Sequence, residues 1–301
     1  MSETTTRPTA GRRARRLARR LPGGRTLRDG HHIYWWVEIL AILAFYAVYS
    51  AIRNAVDTNV PVALHHARQL IHAEHVIGVY HEQTLQRWAL HFEPLIVAMN
   101  YVYGSLHFVV TAGVGVYLFR KWSDDYPKWR NTLAITTGLA LIGFYFWPLM
   151  PPRLLDVHGL HTGFVDTLAK YPTIWSFNSG EVSKLSNQYA AMPSVHCAWA
   201  LFCACALVPR LRHTWAKVLA GCYPALTVTA IVLTGNHYFL DAVGGFTTLG
   251  IGYLVARAIT RAGRGEPVVD LTAQERRDRD RVRPEPEPAL PERGTGTEGS
   301  A

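Results

Sequence analysis

The longest apolar runs in this chain are long enough to cross a lipid bilayer, and they restrict its fold more than any other feature. The run YWWVEILAILAFYAVYSAI, residues 34–52, contains a single acidic residue. As a helix it covers roughly 30 Å, which is the thickness of a bilayer's hydrocarbon core. Five further apolar blocks follow, at about residues 95–119, 131–149, 193–208, 215–233 and 238–259. The sequence therefore predicts an all-α membrane protein with six transmembrane helices in a bundle.

Both ends of the chain are polar and contain few residues that could form a core. The first thirty residues include GRRARRLARR, and the last forty include ERRDRDRVRPEPEPALPERGTGTEGSA. Segments of this composition bury too little apolar surface to fold. We predict a disordered basic N-terminus over residues 1–30, a six-helix membrane domain over residues 31–262, and a disordered tail over residues 263–301.

Positive charge is distributed unevenly among the segments that join the apolar blocks. Arg and Lys are dense before the first block and after the second, fourth and sixth, whereas residues 53–93, 150–192 and 234–237 contain few or none. Because loops rich in Arg and Lys stay in the cytoplasm, we predict a multi-pass protein of the cell membrane with both termini cytoplasmic. The net charge of +9 is then a topology signal. We predict no nucleic-acid partner, since no nucleic-acid-binding module is recognisable.

Residues 61–92 differ from the apolar blocks because their apolar residues recur at helical intervals among polar ones. The pattern is too broken for a span and predicts one or two amphipathic helices on the outer surface. Histidines are frequent between residues 65 and 91, and His72 with His75 has a spacing that could coordinate zinc. No acid-rich or Cys-rich partner completes such a site, so we predict a solvated or lipid-contacting face and no metal. A cover over an active site is an alternative role.

Three separate segments place polar side chains at the predicted outer ends of spans. AAMPSVHCAW places Ser194 and His196 at the start of span four, and PPRLL places Arg153 just after span three. LTGNHYFLDAVGG, the turn into span six, contains His237 and Asp241, which are four residues apart and share one helical face. Ionisable residues at membrane depth are costly and usually functional, so we predict an active site on the outer face.

This set of side chains suits phosphoryl transfer through a covalent phosphohistidine. A histidine nucleophile presents one ring nitrogen while a carboxylate bonded to the other nitrogen fixes the tautomer and balances the developing charge. His237 with Asp241 fits that description. A second, protonated histidine would give a proton to the departing oxygen, and His196 fits that role.

The remaining polar residues of the same segments would bind the phosphate group. A fixed guanidinium and the amides of a helix start suit the equatorial oxygens, where negative charge accumulates. Arg153, Ser194 and the first amides of span four fit there. Asn236, beside the nucleophile, and His107, within span two, are accessory candidates.

The segments PSVH and TGNHYFLD resemble the second and third signature motifs of the type 2 phosphatidic acid phosphatase (PAP2) superfamily, and PPRLL is similar to the tail of its first. The wording is more similar to the branch that contains inositol phosphorylceramide synthase than to the soluble acid phosphatases. The resemblance covers about residues 94–259. It implies a six-helix membrane bundle and transfer without metal or other cofactor, with His237 as nucleophile, Asp241 as its orienting residue and His196 as acid.

Two positions depart from the motifs of the superfamily. The first motif has a Lys seven residues before its Arg, where this chain has Phe146, and the third has an Arg six residues before the nucleophile, where this chain has Ile231. The synthase branch resembles this chain in lacking both cations. The departure therefore favours a head-group transferase over a plain phosphatase.

The resemblance and the site residues together predict a membrane enzyme that transfers a phospho-head-group from a lipid phosphate substrate to a lipid alcohol. One alternative is a lipid phosphate or prenyl diphosphate phosphatase, in which water is the acceptor. Another is a proton-coupled transporter that uses the His, Asp and Arg side chains as a relay. Transporters of that kind commonly have two similar halves, and no internal repeat is visible here.

Overall fold

The computed structural model describes residues 23–28, 30–55, 59–173 and 188–263, and the predictions for residues 1–22 and 264–301 lie outside these ranges. Most of the described residues are helical. In chain order, the elements are β1 (Gly24–Thr26), β2 (His32–Tyr34), α1 (Trp35–Ala55), α2 (Val60–Val76), α3 (Glu82–Ala89), α4 (Glu93–Tyr101), a π-helical turn (Val102–Leu106), α5 (His107–Lys121), α6 (Tyr126–Phe146), α7 (Pro152–Leu155), a 3-10 turn (Asp156–His158), α8 (Thr167–Lys170), α9 (Val195–Leu207), α10 (Thr214–Leu233) and α11 (Phe239–Gly263).

Each of the six apolar blocks forms helical structure. Among the described residues, four helical segments are long and apolar enough to cross a membrane, namely Trp35–Ile52, Glu93–Lys121, Thr214–Leu233 and Phe239–Ala262. The other two blocks correspond to α6 and α9. The 13 residues of α9 cover about 20 Å, which is less than the roughly 30 Å of a hydrocarbon core. The described chain thus has four candidate spans, and the six-span bundle stays a prediction.

Helix α1 exposes an almost continuous apolar surface, with only 6% of its candidate span buried. Such a surface is stable in an apolar environment such as lipid, and it indicates membrane association. The acid of this helix, Glu38, is buried against α6, where it binds Nη1 of Arg130 at 2.7 Å and accepts a hydrogen bond from the Tyr126 hydroxyl at 3.1 Å. The charge within this helix is therefore paired.

Strands β1 and β2 form a short antiparallel hairpin directly before α1. Its first strand, Gly24–Thr26, lies within the segment that the sequence predicts to be disordered, so the boundary of the folded part is earlier than predicted. The reason is local, because Leu27 and Ile33 are both buried in the core cluster that contains Val114 and Leu118. Composition over a thirty-residue window does not detect so short a hairpin.

Helices α2 and α3 cover the region that is predicted to be amphipathic. The buried residues of α2 are Ala63, Ala67, Leu70 and Glu74, which lie on one face. This face packs against the segment between α6 and α7 and against Tyr238, just before α11. The location of these helices on the outer side of a membrane stays a prediction.

Helix α9 packs against α5, α6 and α10 and carries many small residues. Its first turn also lies very close to α11, because a Cβ on Gly245 would overlap the carbonyl oxygen of Ser194. Backbone contact of this kind requires glycine and fixes the start of α9 against the first turns of α11.

Candidate active site

His237 and Asp241 form a buried pair at the start of α11. Nδ1 of His237 lies 3.2 Å from Oδ2 of Asp241, and the same oxygen accepts a hydrogen bond from the Tyr238 N–H at 3.0 Å. His237 is 4% exposed and Asp241 is fully buried. Because a carboxylate can only accept, the hydrogen-bond network assigns the proton to Nδ1 and leaves the lone pair on Nε2.

The turn between α10 and α11 holds the His237 backbone in place. Gly235 has a φ of +67°, and a Cβ there would lie 2.7 Å from Nε2 of Gln86. Glycine is the residue that adopts this conformation without a steric penalty. The N–H groups of Asn236 and His237 donate to the carbonyl oxygen of Ile231, at 2.9 and 3.3 Å. The glycine of the TGNH sequence is therefore needed for the turn that presents the histidine.

His196 lies in the first turn of α9, with its ring centroid 5.6 Å from that of His237 and the ring planes at 62°. Ser194 is the N-cap residue of this helix, since its Oγ accepts a hydrogen bond from the Cys197 N–H at 3.4 Å. The N–H of Ser194 also donates to the backbone oxygen of Asp241 at 3.0 Å. The predicted phosphate-binding serine thus lies buried as a cap that joins the starts of α9 and α11.

Two further aromatic rings surround His196. Tyr103, from the π-helical turn, stacks on His196 with a centroid distance of 4.4 Å and an interplanar angle of 26°. His107, the accessory candidate, meets the His196 ring edge-on at 4.3 Å and is itself buried. Tyr103 was not predicted from the sequence, which gives no sign of the π-helical turn that carries it, although such turns are frequent at functional sites.

Arg153 lies in α7, where it contacts the turn that carries His237. Its N–H donates to the carbonyl oxygen of Gly235 at 2.8 Å, and its Nε donates to Oδ1 of Asn236 at 2.9 Å. The accessory candidate Asn236 therefore joins Arg153 to the turn that carries His237. The guanidinium also binds Asp166 at 2.9 Å and donates to the Gln188 side chain at 3.3 Å. Asp166 was not identified from the sequence, because its partner is 13 residues away in an irregular segment.

The two positions at which the motifs depart from the superfamily pattern contribute no charge to this region. Phe146, at the end of α6, is 73% exposed, whereas Ile231 is fully buried inside α10. Arg153, the cation that is predicted to bind phosphate, lies beside the turn that carries His237. Its charge is balanced by Asp166.

Two of the histidines of α2, His66 and His75, have neighbours that account for their positions. Nδ1 of His66 lies 2.8 Å from the carbonyl oxygen of Pro148, and its ring stacks on Trp147 at 4.0 Å. The ring of His75 contacts that of Tyr80 at 4.3 Å. Within the described ranges, no group of three or more His, Cys, Asp or Glu residues is arranged to hold a metal ion.

A comparison with models of protein families shows to which superfamily the chain belongs. A family model described as the PAP2 superfamily matches residues 68–255, which is more than half of the chain and includes every residue of the site described above. The chain belongs to the PAP2 superfamily. PAP2 proteins are generally phosphatases, so membership indicates a phosphatase or phosphotransferase. No curated protein and no solved structure matches the chain.

The structure brings the PAP2-like motif segments of this chain together in one region. His237, Asp241, His196 and His107 form a cluster of neighbouring side chains, and Arg153 contacts the same turn through Gly235 and Asn236. The guanidinium contacts run to Asn236, Asp166 and Gln188 rather than to either catalytic candidate.

Proposed function

We propose that this PAP2 protein is a membrane-embedded phosphotransferase that acts through a phosphohistidine on His237. The observation that carries the proposal is the buried His237–Asp241 pair, with the His196 ring 5.6 Å from the His237 ring. A histidine that is held by a carboxylate at one nitrogen and faces a second histidine suits nucleophilic catalysis with a separate acid.

In the first step, Nε2 of His237 attacks the phosphorus of the lipid while the bond from phosphorus to the leaving oxygen breaks. His196 donates its proton to that oxygen, so the lipid part leaves as a neutral alcohol. The positive charge that develops on the His237 ring is balanced by Asp241 through Nδ1. Stacking of Tyr103 on His196 supports the acid role, because the face of an aromatic ring stabilises a neighbouring cation.

In the second step, the hydroxyl group of an acceptor attacks the same phosphorus and the bond from phosphorus to Nε2 breaks. The acceptor's proton goes to His196, which is then ready to act as acid again. Water and an alcohol can both follow this path, and the product differs between them. The proposed chemistry has no step that needs a metal ion.

The charge near the site supports a diester as substrate. Arg153 is paired with Asp166, and Phe146 and Ile231 replace the further cations. A phosphomonoester dianion would bring a second negative charge that no cation at these positions balances. Two unit charges about 4 Å apart interact by about 4 kcal/mol at an effective dielectric constant of about 20, so the extra charge would weaken binding. A diester has only one negative charge, so it leaves less charge unbalanced at a site whose arginine is already paired with Asp166.

Several features favour a lipid substrate on the outer face of the membrane. The site lies where α9 and α11 begin, and α11 is one of the candidate membrane spans. The positive-charge pattern predicts that both termini are cytoplasmic and that the helix ends that carry the site are outside. We therefore propose head-group transfer from a phosphodiester lipid to a lipid alcohol, as in the inositol phosphorylceramide synthase branch.

The proposal is tested with purified protein in detergent, supplied with phosphatidylinositol or phosphatidic acid and with ceramide as the lipid alcohol. We expect phosphatidylinositol to be turned over at least about tenfold faster, a preference worth about 1.4 kcal/mol, with the phospho-head-group recovered on ceramide. The His237→Asn variant, prepared in the same way, is the negative control for both substrates.

A phosphatase is the second candidate function, because PAP2 proteins are generally phosphatases. It predicts rapid release of inorganic phosphate from phosphatidic acid without transfer to ceramide. That result would contradict the transferase and keep the phosphohistidine chemistry. If neither lipid reacts in the wild-type protein, the enzymatic proposal itself fails.

A further inference from the structure

Two buried glutamates lie directly behind the start of α11. Glu74 of α2 and Glu82 of α3 are both fully buried. Oε1 of Glu82 accepts a hydrogen bond from the Phe239 N–H at 3.0 Å, and Oε1 of Glu74 accepts one from the Leu240 N–H at 2.8 Å. These amides belong to the first turn of α11, where helix N–H groups have no partner within the helix and negative charge is favoured.

The second oxygens of the two carboxyl groups bear on whether both groups are ionised. Oε2 of Glu74 and Oε2 of Glu82 are both buried, and neither accepts a hydrogen bond from a donor group in the described part of the chain. The first oxygens of the same carboxyl groups bind the amides of adjacent residues, so two buried carboxyl groups serve the same helical turn. Two ionised carboxylates buried in this way would repel each other and contain no donor, whereas a proton on one of them removes the repulsion and can be donated to the other.

We propose that Glu74 and Glu82 share one proton and act as positioning residues for His237, holding the first turn of α11 so that Nε2 of His237 faces His196. This inference rests on the function proposed above. The link is short, because the two amides that the glutamates hold follow His237 by two and three residues. Helices α2 and α3 would then be part of the catalytic centre rather than a separate cover.

The surroundings of Glu74 favour its neutral form. Burial is the main cause, and the neighbouring Glu82 adds to it, so that the pKa of Glu74 rises from its ordinary value of 4.5 to about 9. The titratable groups around it are Glu82 from α3, Tyr80 from the segment between α2 and α3, and Tyr238 and Asp241 from the start of α11. Burial also raises the pKa of Tyr80 to about 12, so Tyr80 stays neutral over the relevant pH range.

The raised pKa gives the pair a pH dependence with a definite sign. Between about pH 4.5 and pH 9 the folded chain keeps a proton on Glu74 that the unfolded chain has lost. The stabilisation is therefore complete below about pH 4.5 and is lost as the pH rises through about 9. Above that pH two adjacent carboxylates would repel each other and loosen the turn that carries His237.

The test compares Glu74→Ala, Glu74→Gln and a matched control, Glu93→Gln, which changes an exposed glutamate at the start of α4. The substrate is an activated aryl phosphodiester, because its leaving group needs no proton from His196 and therefore does not add a second alkaline limit. The rate of aryl alcohol release and the KM are measured from about pH 6 to about pH 10. The midpoint of thermal unfolding is measured for the same proteins over the same range.

We expect Glu74→Ala to lower kcat by about tenfold or more with little change in KM, because the nucleophile is misplaced and not removed. Glu74→Gln should recover most of that loss, since an amide can donate to Glu82 and accept from Leu240. It should also abolish the fall in kcat near pH 9, which the wild type and Glu93→Gln should both retain.

An unchanged kcat in Glu74→Ala, or the same alkaline fall in Glu74→Gln as in the wild type, would overturn the inference. If Glu74→Ala does not fold, the pH profile of Glu74→Gln decides. If the protein has no activity on any phosphodiester, the thermal measurement remains, because the unfolding midpoint of the wild type should fall more steeply with pH than that of Glu74→Gln. Equal slopes would show that no proton is shared, whatever reaction the enzyme catalyses.

Discussion

His237 and His196 carry the same side chain, but their neighbours give them different chemical properties. His237 is buried with a carboxylate on Nδ1, which leaves Nε2 as an electron pair donor. His196 is partly exposed and packs between the rings of Tyr103 and His107, where a positive charge is stabilised by the tyrosine face. The surroundings of the two histidines are therefore consistent with the proposed roles of nucleophile for His237 and acid for His196.

The roles of the two histidines predict different responses to the leaving group. Replacing His196 by Asn should slow the turnover of a natural phosphodiester lipid by about 10²-fold or more, because an alkoxide leaves slowly without a proton donor. The same change should have little effect on an aryl phosphodiester whose leaving group needs no proton. Release of both alcohols is measured side by side, with His91→Asn as the control, because His91 is exposed and outside the site. A loss of the same size on both substrates would contradict the acid role.

Many of the side chains of the site could be predicted from the sequence, because the number of residues between them indicates which of them lie close together. His237 and Asp241 are four residues apart at the start of a helix, so their contact follows from helix geometry. The Asp166 partner of Arg153 and the Glu74–Glu82 pair join segments that are distant in the chain or irregular. No periodicity of the sequence encodes such contacts, and they emerge only from the tertiary packing.

At the level of secondary structure, the position of His196 depends on how closely α9 approaches α11. Gly245 lies against the carbonyl oxygen of Ser194, the residue that caps α9. Any side chain at position 245 would push the two helices apart at their starts. Because phosphoryl transfer is sensitive to small displacements of the reacting groups, this contact should matter for activity.

Replacing Gly245 by Ala should therefore lower kcat by about tenfold or more and lower the thermal unfolding midpoint. Gly250→Ala is the matched control, since a Cβ at that position of the same helix meets no atom within 4 Å. Both variants have the same change in composition and helix propensity. If Gly250→Ala loses as much activity as Gly245→Ala, close packing at the start of α9 is not the cause.

The existence of the helices could be predicted from the sequence more accurately than the residues at which they begin and end. All six apolar blocks are helical, because a helix satisfies the backbone N–H and C=O groups of an apolar run within the run itself. The second block, however, begins as α4, continues through the π-helical turn and ends as α5. A hydropathy profile is an average over many residues and does not detect so short a turn. For this reason the position of Tyr103 beside His196 could not be predicted.

For the whole molecule, the orientation in the membrane decides which compartment supplies the substrate. The positive-charge pattern predicts that both termini are cytoplasmic and that the segment between α6 and α9 is outside. A reporter fused after Ala301 should therefore report a cytoplasmic location. Val157, which is 67% exposed, provides a site for the opposite side.

Whole cells that carry Val157→Cys should react with a membrane-impermeant thiol reagent. The wild-type protein, which has four cysteines of its own, gives the background for this labelling. Labelling that requires permeabilised cells, or a C-terminal reporter on the outside, would reverse the orientation and the location of the active site.

The central claim is that a covalent intermediate forms on His237. The direct measurement mixes the purified enzyme briefly with a phosphodiester lipid labelled at phosphorus, stops the reaction in alkali and identifies the labelled peptide by mass spectrometry. We expect an alkali-stable, acid-labile label on the imidazole of His237, and both this label and turnover should be absent from the His237→Asn variant. Normal turnover in His237→Asn, or a label on any other residue, would contradict it.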